Sequence, residues 1–119
     1  MVLVDTSIWI DHFRSNDKEL VYLLNDCKVV LHPFIIGELA CGNIKNRSRI
    51  LSLLDALPLV KEISTFEYLA FIEQSKLYGL GLGFIDIHLL ASAILSNVTL
   101  YTRDRSLYSI ATKFKIQYK

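Results

Sequence analysis

Four acidic residues occupy positions that are unusual for a charged side chain. Asp5 directly follows the apolar run VLV, and Asp104 closes the segment LYTRD. Glu38 and Asp86 interrupt the apolar segments FIIGELA and GFIDIHLL. No Lys or Arg near Asp5, Glu38 or Asp86 in sequence is suited to neutralise it. Because burying an unpaired carboxylate is costly or forces its protonation, these acids need a compensating partner.

A divalent cation is the partner that these residue types predict. If Asp5, Glu38, Asp86 and Asp104 converge, their mutual repulsion raises their pKa values unless a cation neutralises them. Oxygen ligands without cysteine or a histidine pair favour hard ions, so the expected metal is Mg²⁺ or Mn²⁺. A phosphodiester hydrolase that uses one or two metal ions is the chemistry that follows.

Each acid also has a purely structural interpretation. Asp5 is suited to cap the helix after the first strand, and Asp104 to cap a last helix over Arg105–Phe114. Glu38 is compatible with a half-exposed position, and Asp86 with the N-cap of a helix over Ile87–Leu95. The case for chemistry rests on the four acids occurring together.

The elements that must position these acids are strands and helices in alternation. Runs rich in β-branched residues predict five strands, at Val2–Val4, Val29–Leu31, Leu59–Ile63, Val98–Tyr101 and Ile116–Tyr118. Nearly continuous apolar strands that alternate with helical periodicity imply a parallel sheet covered on both faces, so the expected fold class is α/β. Ligands bind outside the carboxyl ends of the strands in such sheets, where Asp5 and Asp104 fall.

Capping residues indicate where the helices begin and end. Ser7 is suited to cap a helix after the first strand, Pro33 to open a first turn, and Thr65 precedes another helical run. The expected ends are Gly42–Asn43, Gly79 and Ser96–Asn97. No Lys-Ser or Lys-Thr pair follows the glycines of segment 79–83, which predicts a turn there and not a phosphate-binding loop.

Length and composition indicate one small folded domain over residues 1–119. The chain has 13 basic and 12 acidic residues, a formal net charge of +1 and 52% hydrophobic residues. This composition excludes a disordered chain, and the net charge counts against a wholly basic nucleic-acid coat protein. The bases are unevenly distributed, because segment 101–119 holds five of them against one acid.

The sequence predicts neither a membrane segment nor an oxidising compartment. Cys27 and Cys41 have neither the spacing of a zinc site nor that of a disulfide framework. The N-terminal segment lacks the basic start of a secretory signal, and every apolar run of about 18 residues is interrupted by a charge. We therefore expect a cytoplasmic protein that does not contact a membrane.

The motifs around the four acids resemble those of PIN-domain ribonucleases, specifically the VapC-type toxins of bacterial or archaeal toxin–antitoxin pairs. The resemblance spans the whole chain and rests on four blocks in the order and spacing of that family. These are Asp5-Thr6-Ser7, Pro33 through Gly37-Glu38-Leu39, Gly83-Phe84-Ile85-Asp86 with Leu89 and Ala91–Ala93, and Thr102-Arg103-Asp104. His88 is outside the general pattern and has no assigned role.

The resemblance implies both a fold and an activity. The fold is a three-layer α/β/α domain with a parallel sheet in the order 3-2-1-4-5. The activity is a metal-dependent endoribonuclease that leaves 5′-phosphate and 3′-hydroxyl ends, with tRNA or ribosomal RNA as substrate by analogy. Asp5, Glu38, Asp86 and Asp104 would be catalytic and would hold Mg²⁺ or Mn²⁺ directly or through water. The implied partners are RNA, a cognate VapB-type antitoxin and a second copy of the chain in a homodimer.

Neighbouring polar and basic residues predict supporting roles. Three hydroxyl groups are placed to orient Asp5 and Asp104, although helix capping explains them equally well: Thr6, Ser7 and Thr102. Arg103 and Arg105 flank Asp104 and are the expected contacts to the RNA backbone. His12 and His32 lie apart from the acids in sequence and are expected to be structural. Trp9, on the first helix, is expected to belong to the core or to an interface.

An antitoxin would cover apolar helix surface and insert a basic side chain among the acids. The candidate segments are Ile8–Arg14, Ile35–Cys41 and Ile50–Leu57. A change such as Leu54→Glu is then expected to weaken antitoxin binding if the third segment is used.

Two other functions compete with ribonuclease activity. The first is a PIN-fold module that binds RNA or protein without turnover, and the complete set of four acids counts against it. The second is an aspartate-based phosphotransfer domain, in which Asp5 would be the reactive carboxylate. That function requires a paired acid beside Asp5 and a suitably placed lysine, and the sequence offers neither.

Overall fold

Strands and helices alternate along the chain in a computed structural model that describes residues 1–119. The strands are β1 (Val2–Val4), β2 (Val29–Val30) and β3 (Thr99–Tyr101). The helices are α1 (Thr6–Ser15), α2 (Lys18–Asn25), α3 (Pro33–Ala40), α4 (Arg47–Asp55), α5 (Thr65–Ser75), α6 (Phe84–Ser96) and α7 (Arg105–Lys113). The α/β class predicted from the sequence is confirmed.

The sheet has three parallel strands in the order β2-β1-β3. The two outer runs of the predicted five-strand sheet each form a single parallel bridge, Leu31 with Leu59 and Leu100 with Gln117. Lys61 and Glu62 break the apolar character of the first outer run and are exposed, so pairing does not extend along it. The five-strand order 3-2-1-4-5 is therefore not confirmed.

The core surrounds the central strand on both faces. All three residues of β1 are buried, and Leu3 has no exposed surface. Helix α6 is buried over seven consecutive residues, Ile87–Ala93, so it lies in the interior of the domain. With 13 residues α6 is also the longest helix, and no helix combines the length and apolar character needed to cross a bilayer.

Asp5 and Ser7 were both suited to cap the helix after β1, and Asp5 takes this position. Helix α1 begins at Thr6, directly after the strand, and its N-cap is Asp5 and not Ser7, since Asp5 Oδ1 accepts the Thr6 N–H at 2.7 Å. A carboxylate caps a helix as well as a hydroxyl does, so the acid nearer the strand takes this position. Helices α3 and α5 begin at Pro33 and Thr65, as expected.

The helix ends depart from expectation in α3 and α5. Helix α3 ends at Ala40 and its C-cap is Cys41 in the right-handed conformation (φ −73°), one residue before the expected Gly42–Asn43. Helix α6 ends at Ser96, where Asn97 adopts the left-handed conformation (φ 56°) as expected for a C-cap. Helix α5 already ends at Ser75, because Lys76 takes the left-handed conformation (φ 54°), so Gly79 is not its cap.

One buried hydroxyl group in α6 predicts a stabilising substitution. Ser92 is fully buried and its Oγ has no hydrogen-bond partner. Ser92→Ala removes an unsatisfied polar group and adds a better helix former, so we expect the free energy of unfolding to rise by about 1 kcal/mol. Ser109→Ala, at an exposed site in α7, is the matched control and should give only the propensity gain. Equal effects in urea unfolding would contradict the prediction.

Candidate active site

The carboxyl ends of β1 and β3 meet at one edge of the sheet. Val4 pairs with Tyr101 in parallel register, and the Asp5 N–H donates to the Tyr101 carbonyl at 2.9 Å. The residues that follow the two strands, Asp5 and Thr102, are therefore neighbours. This is the edge where the sequence predicts ligand binding.

The Asp5 carboxylate is fixed from both strands. It is 8% exposed, and its Oδ2 accepts the Thr102 hydroxyl at 2.7 Å. The Ser7 hydroxyl also lies 3.5 Å from Oδ2. Thr102 in turn accepts the Asp104 N–H at 3.1 Å, so one hydroxyl connects the two acids. The position of the Asp5 side chain is thereby determined by residues that follow β1 and by a residue that follows β3.

Glu38 reaches this edge from α3. Its side chain is exposed, and its Oε1 accepts the Thr6 hydroxyl at 2.6 Å. The Thr6 hydroxyl thus holds Glu38, whereas the Thr6 backbone N–H holds Asp5. The first turn of α1 therefore connects two of the four predicted acids.

Asp86 and Asp104 lie in helix N-terminal turns. Asp86 is half-buried at the third position of α6, and its Oδ2 accepts the Gly83 N–H at 2.9 Å. It is therefore not the N-cap, because α6 begins two residues before it. Asp104 is exposed and caps α7, its Oδ1 accepting the Leu107 N–H at 2.9 Å. Each carboxylate thus has a structural role that leaves room for chemistry at its remaining lone pairs.

The charges of the four acids act on the titration of the two more buried ones, Asp5 and Asp86. Burial raises the pKa of Asp5, hydrogen bonds from Thr102 and Thr6 oppose the rise, and repulsion by Asp86 and Glu38 adds to it. Burial also raises the pKa of Asp86, and repulsion by Asp104 and Glu38 adds to that rise. Both shifts mean that additional positive charge would be stabilised here.

The donor chemistry fits a hard divalent cation. Every candidate ligand is a carboxylate oxygen, which suits Mg²⁺ or Mn²⁺. No three acidic, histidine or cysteine side chains are grouped closely enough to hold a metal ion by themselves. Mg²⁺ is commonly bound through one or two carboxylates and retains several waters, so a loosely spaced set of acids remains compatible with it.

The two predicted RNA contacts differ in their surroundings. The Arg103 guanidinium donates to Asp11 Oδ2 at 3.1 Å and also to Asp17. Arg105 is exposed at the start of α7 and forms no ion pair. Only Arg105 therefore presents an unpaired cation beside Asp104.

Asp17 is a residue that the sequence analysis missed. It is 8% exposed, caps α2 by accepting the Leu20 N–H at 2.9 Å, and accepts the Tyr101 hydroxyl at 3.1 Å. Burial raises its pKa, but hydrogen bonds from Arg103, Leu20 and Tyr101 outweigh this and lower it. A capping signal before α2 could have revealed the cap, but not the pairing with a residue 86 positions later.

Comparison with known proteins identifies the family. The model of the PIN domain family matches residues 2–113. The chain belongs to the PIN-domain family. Ribonuclease VapC32 of Mycobacterium tuberculosis, strain CDC 1551 / Oshkosh, is 44% identical over 108 residues, covering 90% of this PIN domain and 87% of that protein. The protein of the same name from strain ATCC 25618 / H37Rv matches equally. This PIN domain is thus of the VapC type, as the sequence motifs suggested.

A solved structure supports the fold of this PIN domain. The crystal structure of PAE2754 from Pyrobaculum aerophilum matches with a TM-score of 0.68, covering 98% of this chain and 87% of that one. The sequence identity is 19%, so this similarity concerns the fold alone.

A groove of about 650 Å³ adjoins the acidic edge of the PIN domain. Its walls include Ile10 and Phe13 of α1, Glu38 and Leu39 of α3, and Ile50 of α4. Each segment predicted as an antitoxin surface thus contributes a wall. Leu54 does not, because it is only 3% exposed and belongs to the core. Leu54→Glu would disrupt folding and is unsuitable as a test of binding.

Proposed function

We propose that this PIN domain is a metal-dependent endoribonuclease toxin that hydrolyses RNA phosphodiester bonds, leaving 5′-phosphate and 3′-hydroxyl ends. The observation that carries the proposal is that Thr6 connects Asp5 to Glu38 and Thr102 connects Asp5 to Asp104 at one edge of the sheet, while Asp86 repels the Asp5 charge. The name of its relative, ribonuclease VapC32, supports the same activity. tRNA and ribosomal RNA remain the proposed substrates.

Each residue at this edge has a defined task in the proposal. Asp5, Asp86, Glu38 and Asp104 bind Mg²⁺ or Mn²⁺, which when bound supplies an activated water and offsets charge on the phosphate. Thr102 and Ser7 orient Asp5, and Thr6 orients Glu38, through their hydroxyl groups. Arg105 binds the RNA backbone by charge, which favours affinity over choice of sequence.

Cleavage of a labelled RNA pool tests this function. The antitoxin-free chain should cut RNA with Mg²⁺ or Mn²⁺, lose activity in EDTA and regain it when excess Mg²⁺ is added. Absence of cleavage under all these conditions would refute the ribonuclease. RNA binding without cleavage would instead favour the alternative of a binding module without turnover.

The groove beside Glu38 is the proposed site for a VapB-type antitoxin. An amphipathic helix in the groove would cover Ile10, Phe13 and Ile50 and bring a basic side chain toward the acids.

We also propose that the chain forms a homodimer, which light scattering would measure, and that it is located in the cytoplasm. The bridges at Leu59 and Gln117 support the strand order 3-2-1-4-5 for the extended sheet.

Ile10→Glu is expected to weaken antitoxin binding at least tenfold, a loss of about 1.4 kcal/mol or more. Ile10 is 40% exposed on the groove wall, so a carboxylate there lowers affinity without entering the core. Binding is measured by calorimetry with the protein encoded by the reading frame immediately upstream. Leu95→Glu, at a 49% exposed site of α6 outside the groove, is the control. Equal affinity of the native chain and the Ile10→Glu variant would place the antitoxin elsewhere.

A further inference from the structure

The connection between β3 and α7 is held on two sides. Thr102 faces Asp5, because its hydroxyl donates to that carboxylate at 2.7 Å, and the same hydroxyl accepts the Asp104 N–H at 3.1 Å. Tyr101 and Arg103, the residues that alternate with them, both donate to Asp17. Alternate residues of an extended segment point to opposite sides, so this segment lies between two carboxylates.

Asp17 lies at the centre of the second set of contacts. Its side chain is 5% exposed and accepts hydrogen bonds from the Leu20 N–H at 2.9 Å, the Tyr101 hydroxyl at 3.1 Å and the Arg103 guanidinium. The guanidinium also lies 5.7 Å from the centre of the Tyr101 ring and donates to Asp11. One buried anion thereby connects the start of α2 to both neighbours of Thr102.

We propose that Asp17 and Arg103 form a positioning pair that holds the turn 102–104 against Asp5, and that Arg103 is not an RNA contact. This proposal rests on the ribonuclease function proposed above. Both terminal nitrogens of Arg103 are engaged by carboxylates, one of them buried. A phosphate contact would have to compete with the buried Asp17 carboxylate for the half-exposed guanidinium, and loss of that partner would leave the Asp17 charge uncompensated.

The catalytic consequence follows from the position of Thr102. Its hydroxyl orients Asp5 and connects to the backbone of Asp104, so a looser turn displaces two acids of the proposed site. A displacement of about 1 Å from a distant substitution is able to lower a rate about 100-fold. The pair therefore acts on the rate of the chemical step, whereas a phosphate contact would act on RNA affinity.

Arg103→Met is the primary test, since it retains the aliphatic stem and removes both ion pairs. We expect kcat to fall about tenfold or more with KM changed less than about twofold. Arg103→Lys should recover part of the loss, because a lysine pairs with Asp17 but cannot reach both acids in the same geometry. Lys113→Met, which removes an exposed charge of α7 that forms no ion pair, should match the native chain. An increase in KM at constant kcat would overturn the proposal in favour of an RNA contact.

Amide hydrogen exchange measures the same pair without any catalysis. The Asp104 N–H donates to Thr102 Oγ1 and should exchange about tenfold faster in the Arg103→Met variant than in the Lys113→Met control. Unchanged exchange in a folded Arg103→Met variant would overturn the proposal. If the native chain fails to cut RNA but this exchange still increases, the ribonuclease function fails while the positioning contact stands.

Tyr101→Phe keeps the proposal testable if Arg103→Met fails to fold. It removes only the hydroxyl that donates to Asp17 and preserves the size of the side chain. We expect a smaller decrease in kcat, about threefold, and faster Asp104 exchange, with KM unchanged. Native values for kcat and exchange in this variant would also overturn the proposal.

Discussion

Asp5→Asn is expected to lower the rate of RNA cleavage by a factor of about 10²–10³. Asp5 is the buried acid of the site, 8% exposed, with hydrogen bonds from Thr6 and Thr102 on its two oxygens. The substitution removes one negative charge and replaces an acceptor oxygen by an amide NH₂ group, which donates hydrogen bonds. Both cation binding and the contact with Thr102 therefore change. Initial rates on labelled RNA at saturating Mg²⁺ measure the effect.

Asp55→Asn provides the control for Asp5→Asn. Asp55 is exposed at the end of α4 and has no hydrogen bond or ion pair to the site, so its neutralisation should leave cleavage unchanged. Equal rates for the native chain and the Asp5→Asn variant would show that the coupled acids do not perform the reaction.

Asp5→Asn should not weaken the fold. The pKa of Asp5 is raised in the folded chain, chiefly by burial, from its ordinary value of 3.8. A raised pKa means that the protonated form stabilises the fold at low pH and that this stability is lost as pH rises through the folded-state pKa. At pH 7 the charged Asp5 therefore opposes folding, and Asp5→Asn should melt at the same or a higher temperature. Lower activity with equal or greater stability distinguishes a functional acid from a structural cap.

The inner part of the fold was predictable because its strands are apolar on both faces. Val2–Val4 and Val29–Val30 are buried throughout, and their short length and β-branched residues separate them from the amphipathic helices. The outer runs were predicted as strands because they also contain β-branched residues. Each pairs at one residue only. In the first run Lys61 and Glu62 carry charged groups to solvent, and the second run follows Lys115, whose left-handed backbone (φ 59°) leaves only a short extended segment.

The placement of the acids was predictable where it depends on strand ends and unpredictable where it depends on long-range side-chain pairs. Parallel neighbours end at the same edge, so the sequence could place Asp5 and Asp104 at one edge of the sheet, where Thr102 connects them. The partner of Arg103 could not be predicted, because Asp17 lies far away in sequence, between α1 and α2, and only the folded chain brings the two side chains together. A charge beside a catalytic acid looks the same in sequence whether it faces RNA or a buried carboxylate.

His32 makes the stability of the fold sensitive to mild acid. It is fully buried at the start of α3, where its Nδ1 accepts the Phe34 N–H at 3.0 Å. Its proton therefore lies on Nε2, which has no hydrogen-bond partner. The His88 ring lies 6.2 Å away. Burial, and then repulsion by His88, lower the pKa of His32 to about 4 from its ordinary 6.5.

A lowered histidine pKa gives stability that is present above pH 6.5 and lost as pH falls toward 4. In that window the unfolded chain binds a proton that the folded chain excludes. We expect this residue alone to remove about 3 kcal/mol of the free energy of unfolding between those limits. Urea unfolding at a series of pH values measures the loss.

His32→Asn separates this effect from general acid unfolding. Asparagine is a good N-cap and retains an acceptor for the Phe34 N–H, but it does not titrate, so most of the slope between pH 4 and 6.5 should vanish. His12→Asn is the matched comparison: His12 Nδ1 likewise accepts a backbone N–H, from Asp17 at 3.1 Å, but the ring is only half-buried. Its substitution should leave most of the slope intact. Equal slopes in the two variants would mean that protonation of buried His32 does not limit the stability of this domain in acid.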